Sequence, residues 1–408
     1  MIANRPTREI VDVLVVGGGI AGMIAAAAFG ATGYKTLMVD PARPVVSGDG
    51  AGADLRSTAF LRPARELFQR IGIWDRLLAH ATPLDSLRVV DTDGTPPVVR
   101  ATRQFDGRET SDEPFGWNFL NWVIRRELLN VLPTISTCEM RYGTGFKSIL
   151  TRTNDAFVTL SDGSQVQAKL VVAADGRNSA VRDALGIGVQ TTHYGQKSLA
   201  FTARHAVPHD NVSTEIYHEG GPFTMVPLPD IDGSPASAIV WMNKGPRAVE
   251  LLHMPEADFN AAMTTRAAGL FGDMHLASAR GVFPIITQTA DRLAAQRVAI
   301  IAEAAHVFPP IGAQGLNTSL NDLTLLLDVL ATAPDDPGAN AVLDQYEKAR
   351  QRDIAPRARA VDAFNRVTGG ADAISKSLRL MGLRAVHDLT PIRHGVMRAG
   401  LGPRSQQS

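Results

Sequence analysis

Ile10-Val11-Asp12-Val13-Leu14-Val15-Val16-Gly17-Gly18-Gly19-Ile20-Ala21-Gly22 is the stretch that decides the fold. Ile10 to Val16 is a Val-rich apolar run, the pattern of a strand buried on both faces of a parallel sheet. Glycines follow at once, Ile20 to Ala31 has helical spacing, Gly33 stops that helix, and Tyr34 to Val39 reads as a second strand ending at Asp40. The unit is βαβ. Gly17-x-Gly19-x-x-Gly22 lets the backbone turn tightly, approach a pyrophosphate and aim amide N–H groups and the helix dipole at it. Asp40 lies 23 residues after Gly17, where a carboxylate can accept hydrogen bonds from both hydroxyls of an adenosine ribose. A free 2'-hydroxyl is needed for that, so FAD or NAD suits this site and NADP does not.

Val13 to Tyr34 is 22 residues without a charge, preceded by Arg5 and Arg8, and so imitates a signal peptide or an anchor. Its glycines are poor helix residues, and a buried βαβ start is expected instead. With 408 residues the chain exceeds one ordinary core, so two domains or one large insertion are expected. Apolar residues at 45% and charged ones at 20% exclude disorder and coiled coil. Lys plus Arg is 41 and Asp plus Glu is 41, which leaves no net field for nucleic acid. The single cysteine, Cys138, forbids an intrachain disulfide and fits a reducing, cytoplasmic setting. From Tyr346 to Ser408 twelve Lys or Arg stand against five Asp or Glu, a basic tail that reads as a solvated helical face or as a contact to anionic lipid.

Further along, Leu61 to Leu78 and Trp122 to Leu132 read as helices. Residues 145 to 174 read as a meander turning at Ser161-Asp162-Gly163-Ser164, its last strand running into Asp175-Gly176. Residues 195 to 245 alternate strand-like stretches with Pro and Gly and read as an inserted antiparallel sheet. Arg297 to Ala302 is again a strand and Gly315 to Leu330 again a helix, while the remainder from about Gln345 is mostly helical with a break at Gly369-Gly370. The expected class is α/β: a discontinuous Rossmann-like dinucleotide-binding domain (1–80, 105–188 and 278–345), an inserted antiparallel β-sheet substrate domain (81–104 and 189–277), and a helical C-terminal segment (346–408).

Two more segments carry chemistry. Asp175-Gly176-Arg177-Asn178-Ser179-Ala180-Val181-Arg182 ends a strand, and by itself reads as a turn with a capped helix. In Glu303-Ala304-Ala305-His306-Val307-Phe308-Pro309-Pro310-Ile311-Gly312-Ala313-Gln314-Gly315-Leu316-Asn317 a strand ends in a carboxylate, a Pro/Gly loop fixes the backbone, and a helix starts with free N–H groups. Such an N-terminus favours developing negative charge. His306 lies on this loop and reads as a satisfier of backbone groups or as a base. His205 and His209 have helical metal spacing, but Pro208 between them argues against a metal pair. Ile374, Leu378, Met381 and Ala385, beside Lys376, Arg379 and Arg384, form an apolar stripe suited to core packing or membrane contact.

In this order and at these separations the three segments resemble those of the single-component flavoprotein monooxygenases of the p-hydroxybenzoate hydroxylase fold, and within them the ubiquinone-biosynthesis hydroxylases, over residues 8 to 345. The resemblance implies FAD as cofactor, with Gly17, Gly19, Gly22 and Asp40 on its ADP half. It implies Arg56 and Arg126 as flavin contacts, Asp175 and Gly176 near the pyrophosphate, and Gly312, Leu316 and Asn317 under the isoalloxazine. The chain departs at Ala302-Glu303, where the family has Gly-Asp; Glu303 keeps the carboxylate and adds a methylene. No second Gly-x-Gly-x-x-Gly is present, so NAD(P)H, NADPH included, would act as a co-substrate meeting the flavin transiently. The implied activity is hydroxylation of an electron-rich aromatic ring with NAD(P)H and dioxygen, the substrate a prenylated phenol on the way to ubiquinone. Peripheral contact with the inner face of the membrane, or with a biosynthetic complex, would suit so greasy a molecule. No residue is an evident acid or base. The alternatives are a flavin-dependent reductase or dehydrogenase of the same fold and a non-catalytic FAD-fold scaffold protein, the latter suggested by Ala302-Glu303.

Overall fold

The computed structural model describes residues 8–48, 52–109, 111–370, 377, 379–382 and 387–388. Of the expected apolar stripe, Ile374, Leu378 and Ala385 lie outside these residues, as does most of the basic tail beyond 370. The Val-rich run forms β1 (Glu9–Val16), the glycine turn leads into α1 (Ile20–Ala31), and β2 (Thr36–Asp40) returns parallel to β1. Ten of the twelve residues of α1 are buried, so it is a core helix covered on all sides. Burying Met23, Ile24 and Phe29 stabilises the layer by roughly 1.5–3 kcal/mol each.

An eight-stranded sheet carries this unit. Its order runs from Ala294–Ala295 through Val298–Ile300, Gln165–Ala173, β1 and β2 to Cys138–Tyr142, with the meander strands Phe146–Thr151 and Ala156–Leu160 attached antiparallel. β1, Gln165–Ala173 and Val298–Ile300 are mutually parallel neighbours. Their carboxyl ends therefore deliver Gly17, Asp175 and Glu303 to one edge of the sheet, where ligands of open α/β sheets bind.

A nine-stranded sheet faces this edge. It contains Ser86–Asp93, Val98–Asp106, Val189–His205, Val212–His218, Gly221–Ile231, Ser234–Lys244, Met274–Leu276, Gly281–Ala290 and His306–Val307. It is antiparallel except where Val212–His218 runs parallel to Ser86–Asp93. Gly281–Ala290, expected on the nucleotide side, pairs instead with Val189–His205. A helix over the whole of Leu61 to Leu78 does not form. Arg62–Arg70 and Trp74–Leu78 are separate helices broken at Gly72, whose φ is +72°, a region that only glycine enters at little cost. The long helix Asn340–Gly369 spans 30 residues and ends at Gly370. Among the described residues no helix is long and apolar enough to cross a membrane.

Candidate flavin and substrate site

One cavity of about 1860 Å³ runs from the glycine turn to the nine-stranded sheet and on to the face of Asn340–Gly369. Single drug-sized ligands occupy roughly 300–1,000 Å³, so there is room for a dinucleotide and a second molecule together.

The glycines of the first turn have three separate jobs. Gly17 has φ +112°, and a Cβ there would lie 2.3 Å from the Ala174 carbonyl oxygen. At Gly22 a Cβ would stand 1.9 Å from the Gly17 oxygen, so this glycine sets how closely α1 meets the turn; it does not line the cavity. Gly19 does line it, and nothing lies within 4 Å of where its Cβ would be. That open cradle at the N-terminus of α1 is what a phosphate needs. Asp40 accepts hydrogen bonds from the Gly18 N–H at 2.5 Å and the Ala42 N–H at 2.8 Å, one on each carboxylate oxygen. Each oxygen keeps a lone pair for a ribose hydroxyl.

The second segment folds as a turn with a capped helix. Asp175 accepts from the Ser179 hydroxyl at 2.5 Å and the Val181 N–H at 3.1 Å, and Ser179 caps the short helix Ala180–Ala184 by accepting from the Arg182 N–H. Asp175 and Gly176 nonetheless line the cavity, Gly176 at φ +83°. Arg182 then donates to the Ala304 carbonyl at 3.0 Å, tying this wall to the third.

Glu303 lines the cavity 3.8 Å from Arg177, and Ala302 adopts the left-handed conformation at φ +57°. That turn is held from behind by Asp322, which accepts from the Ala302 N–H at 2.9 Å, His306 Nε2 at 2.8 Å and Arg350 Nε at 2.7 Å. Burial alone would raise the Asp322 carboxyl; His306 and Arg350 outweigh it and hold the group below the ordinary carboxylate range. His306 is itself buried, lines the cavity, and is oriented by this bond. Gly312 (φ +62°) and Leu316 line the cavity. Asn317 does not. Its amide donates to the Ala59 and Ala313 carbonyls and accepts from the Leu61 N–H, stitching the helix start to the strand Ser57–Leu61.

Arg56 lines the cavity in a two-point ion pair with Asp54, at 2.7 and 2.8 Å. Asp54 also accepts from Asn121 and Arg125. Burial raises its carboxyl, but these partners, Arg56 first, bring it below its usual value. Arg126 points elsewhere: it pairs with Glu127, approaches His80 and lies over the Trp122 ring. The neighbour, Arg125, is the one that lines the cavity, and its buried Nε has no partner in the protein. The open Gly19 cradle, with the Arg56 and Arg125 side chains on the same cavity, fits a cofactor rich in phosphate and carbonyl oxygens. His205 bonds the Val207 carbonyl and the Ser237 hydroxyl, and His209 bonds the Leu228 carbonyl.

At the far end, Ser213, Glu215 and Tyr217 alternate along one face of Val212–His218 and all line the cavity, with Thr224 and Val226 on the adjoining strand and Val240 on the one beyond it. The Tyr217 hydroxyl donates to Glu215 Oε2 at 2.5 Å. Burial pushes the Glu215 carboxyl up, while Tyr217 and the Gly312 backbone N–H act against that rise. The Tyr217 phenol is driven well above its ordinary value by burial and by Glu215. The sequence reading did not single out Glu215, Asp322 or Arg125; a carboxylate alternating with apolar residues in a strand was the available hint for the first.

An FAD binding domain family model matches residues 10–361. The chain is 32% identical to ubiquinone hydroxylase UbiL of Rhodospirillum rubrum over 402 residues, covering 97% of this chain and 90% of that one. It is 25% identical to 3-demethoxyubiquinol 3-hydroxylase of Escherichia coli, with 98% and 100% covered. Among solved structures, p-nitrophenol 4-monooxygenase PnpA from Pseudomonas putida superposes with a TM-score of 0.77 at 17% identity, over 97% of this chain and 100% of that one. With an open glycine cradle, a ribose-competent carboxylate and three loops gathered on one cavity, the chain belongs to the FAD binding domain family that includes ubiquinone hydroxylase UbiL, and is an FAD-dependent monooxygenase.

Proposed function

We propose that this protein hydroxylates the electron-rich ring of a polyprenylated phenol in ubiquinone biosynthesis, using NAD(P)H and dioxygen. The observation that carries the reading is that one cavity joins the dinucleotide cradle to an apolar chamber. The chamber is lined by Val89, Val226, Val240, Phe283 and Ile285 and continues along Val361, Phe364 and Val367 of the long helix. The first part suits a ring, the second a hydrocarbon tail. UbiL and the Escherichia coli relative are named for ubiquinone or ubiquinol hydroxylation.

Bound FAD would supply electron transfer from NAD(P)H and the activation of dioxygen. Gly17, Gly19 and Asp40 would hold its ADP half, Arg56, Arg125, Asp175 and Gly176 its middle, and Gly312 and Leu316 the ring system. The apolar walls keep water from the reacting centre. Asp40→Ala is expected to lower FAD affinity about 10- to 100-fold with the fold intact, because charge-assisted hydrogen bonds contribute roughly 1.5–3 kcal/mol. Fluorimetric titration of FAD into the stripped variant, beside a circular dichroism spectrum, checks this.

The tail of the substrate would enter where Phe364, 44% exposed, meets the cavity. We place a peripheral membrane contact at this mouth. Phe364→Asp is accordingly expected to slow turnover of a long-tailed phenol presented in vesicles while sparing a short-tailed one in solution. The reading as a whole is tested by incubating FAD-loaded protein with NAD(P)H, dioxygen and 2-geranylphenol. Oxygen uptake matched by hydroxylated product supports it. NAD(P)H oxidation with a saturated prenyl chain and no oxygen uptake would replace it with the reductase alternative.

A further inference from the structure

We propose that Glu215, held by Tyr217, accepts the proton of the substrate's ring hydroxyl and so presents the ring as a phenolate. The inference rests on the reading of the substrate as a phenol. Glu215 is 7% exposed, faces the cavity, and neighbours the Gly312 amide on the loop that carries the flavin wall. It is thus the carboxylate placed where the reacting ring must lie, between that loop and the nine-stranded sheet. The other carboxylate of this face, Asp91, sits opposite Tyr217 on the neighbouring strand and is committed to Arg100 and Arg379. Glu215 has a phenol for a partner. Tyr217 donates to Oε2, which leaves Oε1 to receive a proton. The positive charge of Arg379 acts against the rise of the Tyr217 phenol, and the Gly312 amide supports the Glu215 anion from the loop.

In the step, the ring O–H bond breaks, an O–H bond forms on the Glu215 carboxylate, and the electron pair stays on the ring oxygen. No electron is transferred. The phenolate is the more nucleophilic ring, and the proton returns to the product oxygen afterwards. Burial that disfavours the Glu215 anion makes it a stronger base than an exposed glutamate, as proton abstraction from a phenol requires.

The test uses FAD-loaded wild type, Glu215→Gln and Tyr217→Phe with 2-geranylphenol and with a ring-fluorinated, more acidic analogue, measured across pH. We expect Glu215→Gln to lose about 10²- to 10⁴-fold in kcat for the parent phenol, with little change in KM or FAD content. The fluorinated phenol and raised pH should each restore part of the loss, because the substrate then ionises without help. Tyr217→Phe should shift the acid limb of the kcat profile without abolishing it. Wild-type kcat in Glu215→Gln, or a loss unaffected by phenol acidity and pH, overturns the assignment while leaving the hydroxylase reading intact. If Glu215→Gln does not retain FAD, the decision passes to Tyr217→Phe, whose unchanged profile overturns it equally. A wild type that hydroxylates neither phenol overturns the substrate reading, and this assignment with it.

Discussion

Gly22→Ala is expected to leave the protein almost without FAD, whereas Gly19→Ala should keep the apo fold and weaken FAD only by crowding it. A Cβ at position 22 would stand 1.9 Å from the Gly17 oxygen, and the Gly17 backbone cannot retreat because its own Cβ direction already meets Ala174 at 2.3 Å. α1 must therefore move off the turn. Overpacking of this kind costs typically 1–3 kcal/mol, and it displaces the amides that face the cavity. At Gly19 the new methyl meets no protein atom within 4 Å, so any loss there is a loss of ligand. Flavin absorbance per protein, measured beside the thermal midpoint, separates the two. Full yellow occupancy in Gly22→Ala would contradict this account of the turn.

Asp322→Ala should cost about 3–5 kcal/mol, the usual penalty for breaking a buried charge network on one side. That is a large part of the 5–15 kcal/mol typical of a folded chain. The carboxylate is fully buried; its loss strips the Ala302 N–H and His306 of their acceptor and leaves Arg350, 5% exposed, with Asp353 and the Thr318 carbonyl. The pH sign follows from the lowered carboxyl. A depressed folded-state value contributes stability above the unfolded value near 4 and loses it as pH falls through the lower folded value. Urea midpoints of wild type should therefore drop in acid more steeply than those of the variant. Parallel acid limbs would remove Asp322 from the explanation.

The first βαβ unit and the meander were legible because hydrophobic period, glycine chemistry and strand-end carboxylates all agree locally. Arg126 shows where that stops. Successive residues on a helix point about 100° apart, so choosing Arg126 over Arg125 exchanges a surface contact with His80 for a cavity wall, and only the placement of Asn121–Val131 decides between them. Asn317 lies in the first turn of the helix Gln314–Leu330, and its amide finds Ala59 and Leu61, more than 250 residues earlier in the chain. Asp322 and Glu215 were illegible for the same reason. The meaning of Asp322 comes from 302, 306 and 350 together, and that of Glu215 from a loop near 312, separations that no local pattern encodes. The histidines 205 and 209 stand at a metal-like spacing that Pro208 already argued against, and each ring bonds a backbone carbonyl.

The helix Asn340–Gly369 begins at the cofactor wall, where Tyr346 donates to the Ile300 carbonyl and Arg350 grips Asp322, and it ends beside the apolar mouth, where Asn365 bonds Gln196 and Gly369 accepts from the Gly220 N–H. Thirty residues make a helix path of about 45 Å, with Pro356 near its middle. Anyone grafting the end proposed to bind the tail onto a homologue to alter chain-length preference must transplant the whole helix and both of its anchorages, since a splice at its midpoint would shift one anchorage against the other even if every wall residue were retained.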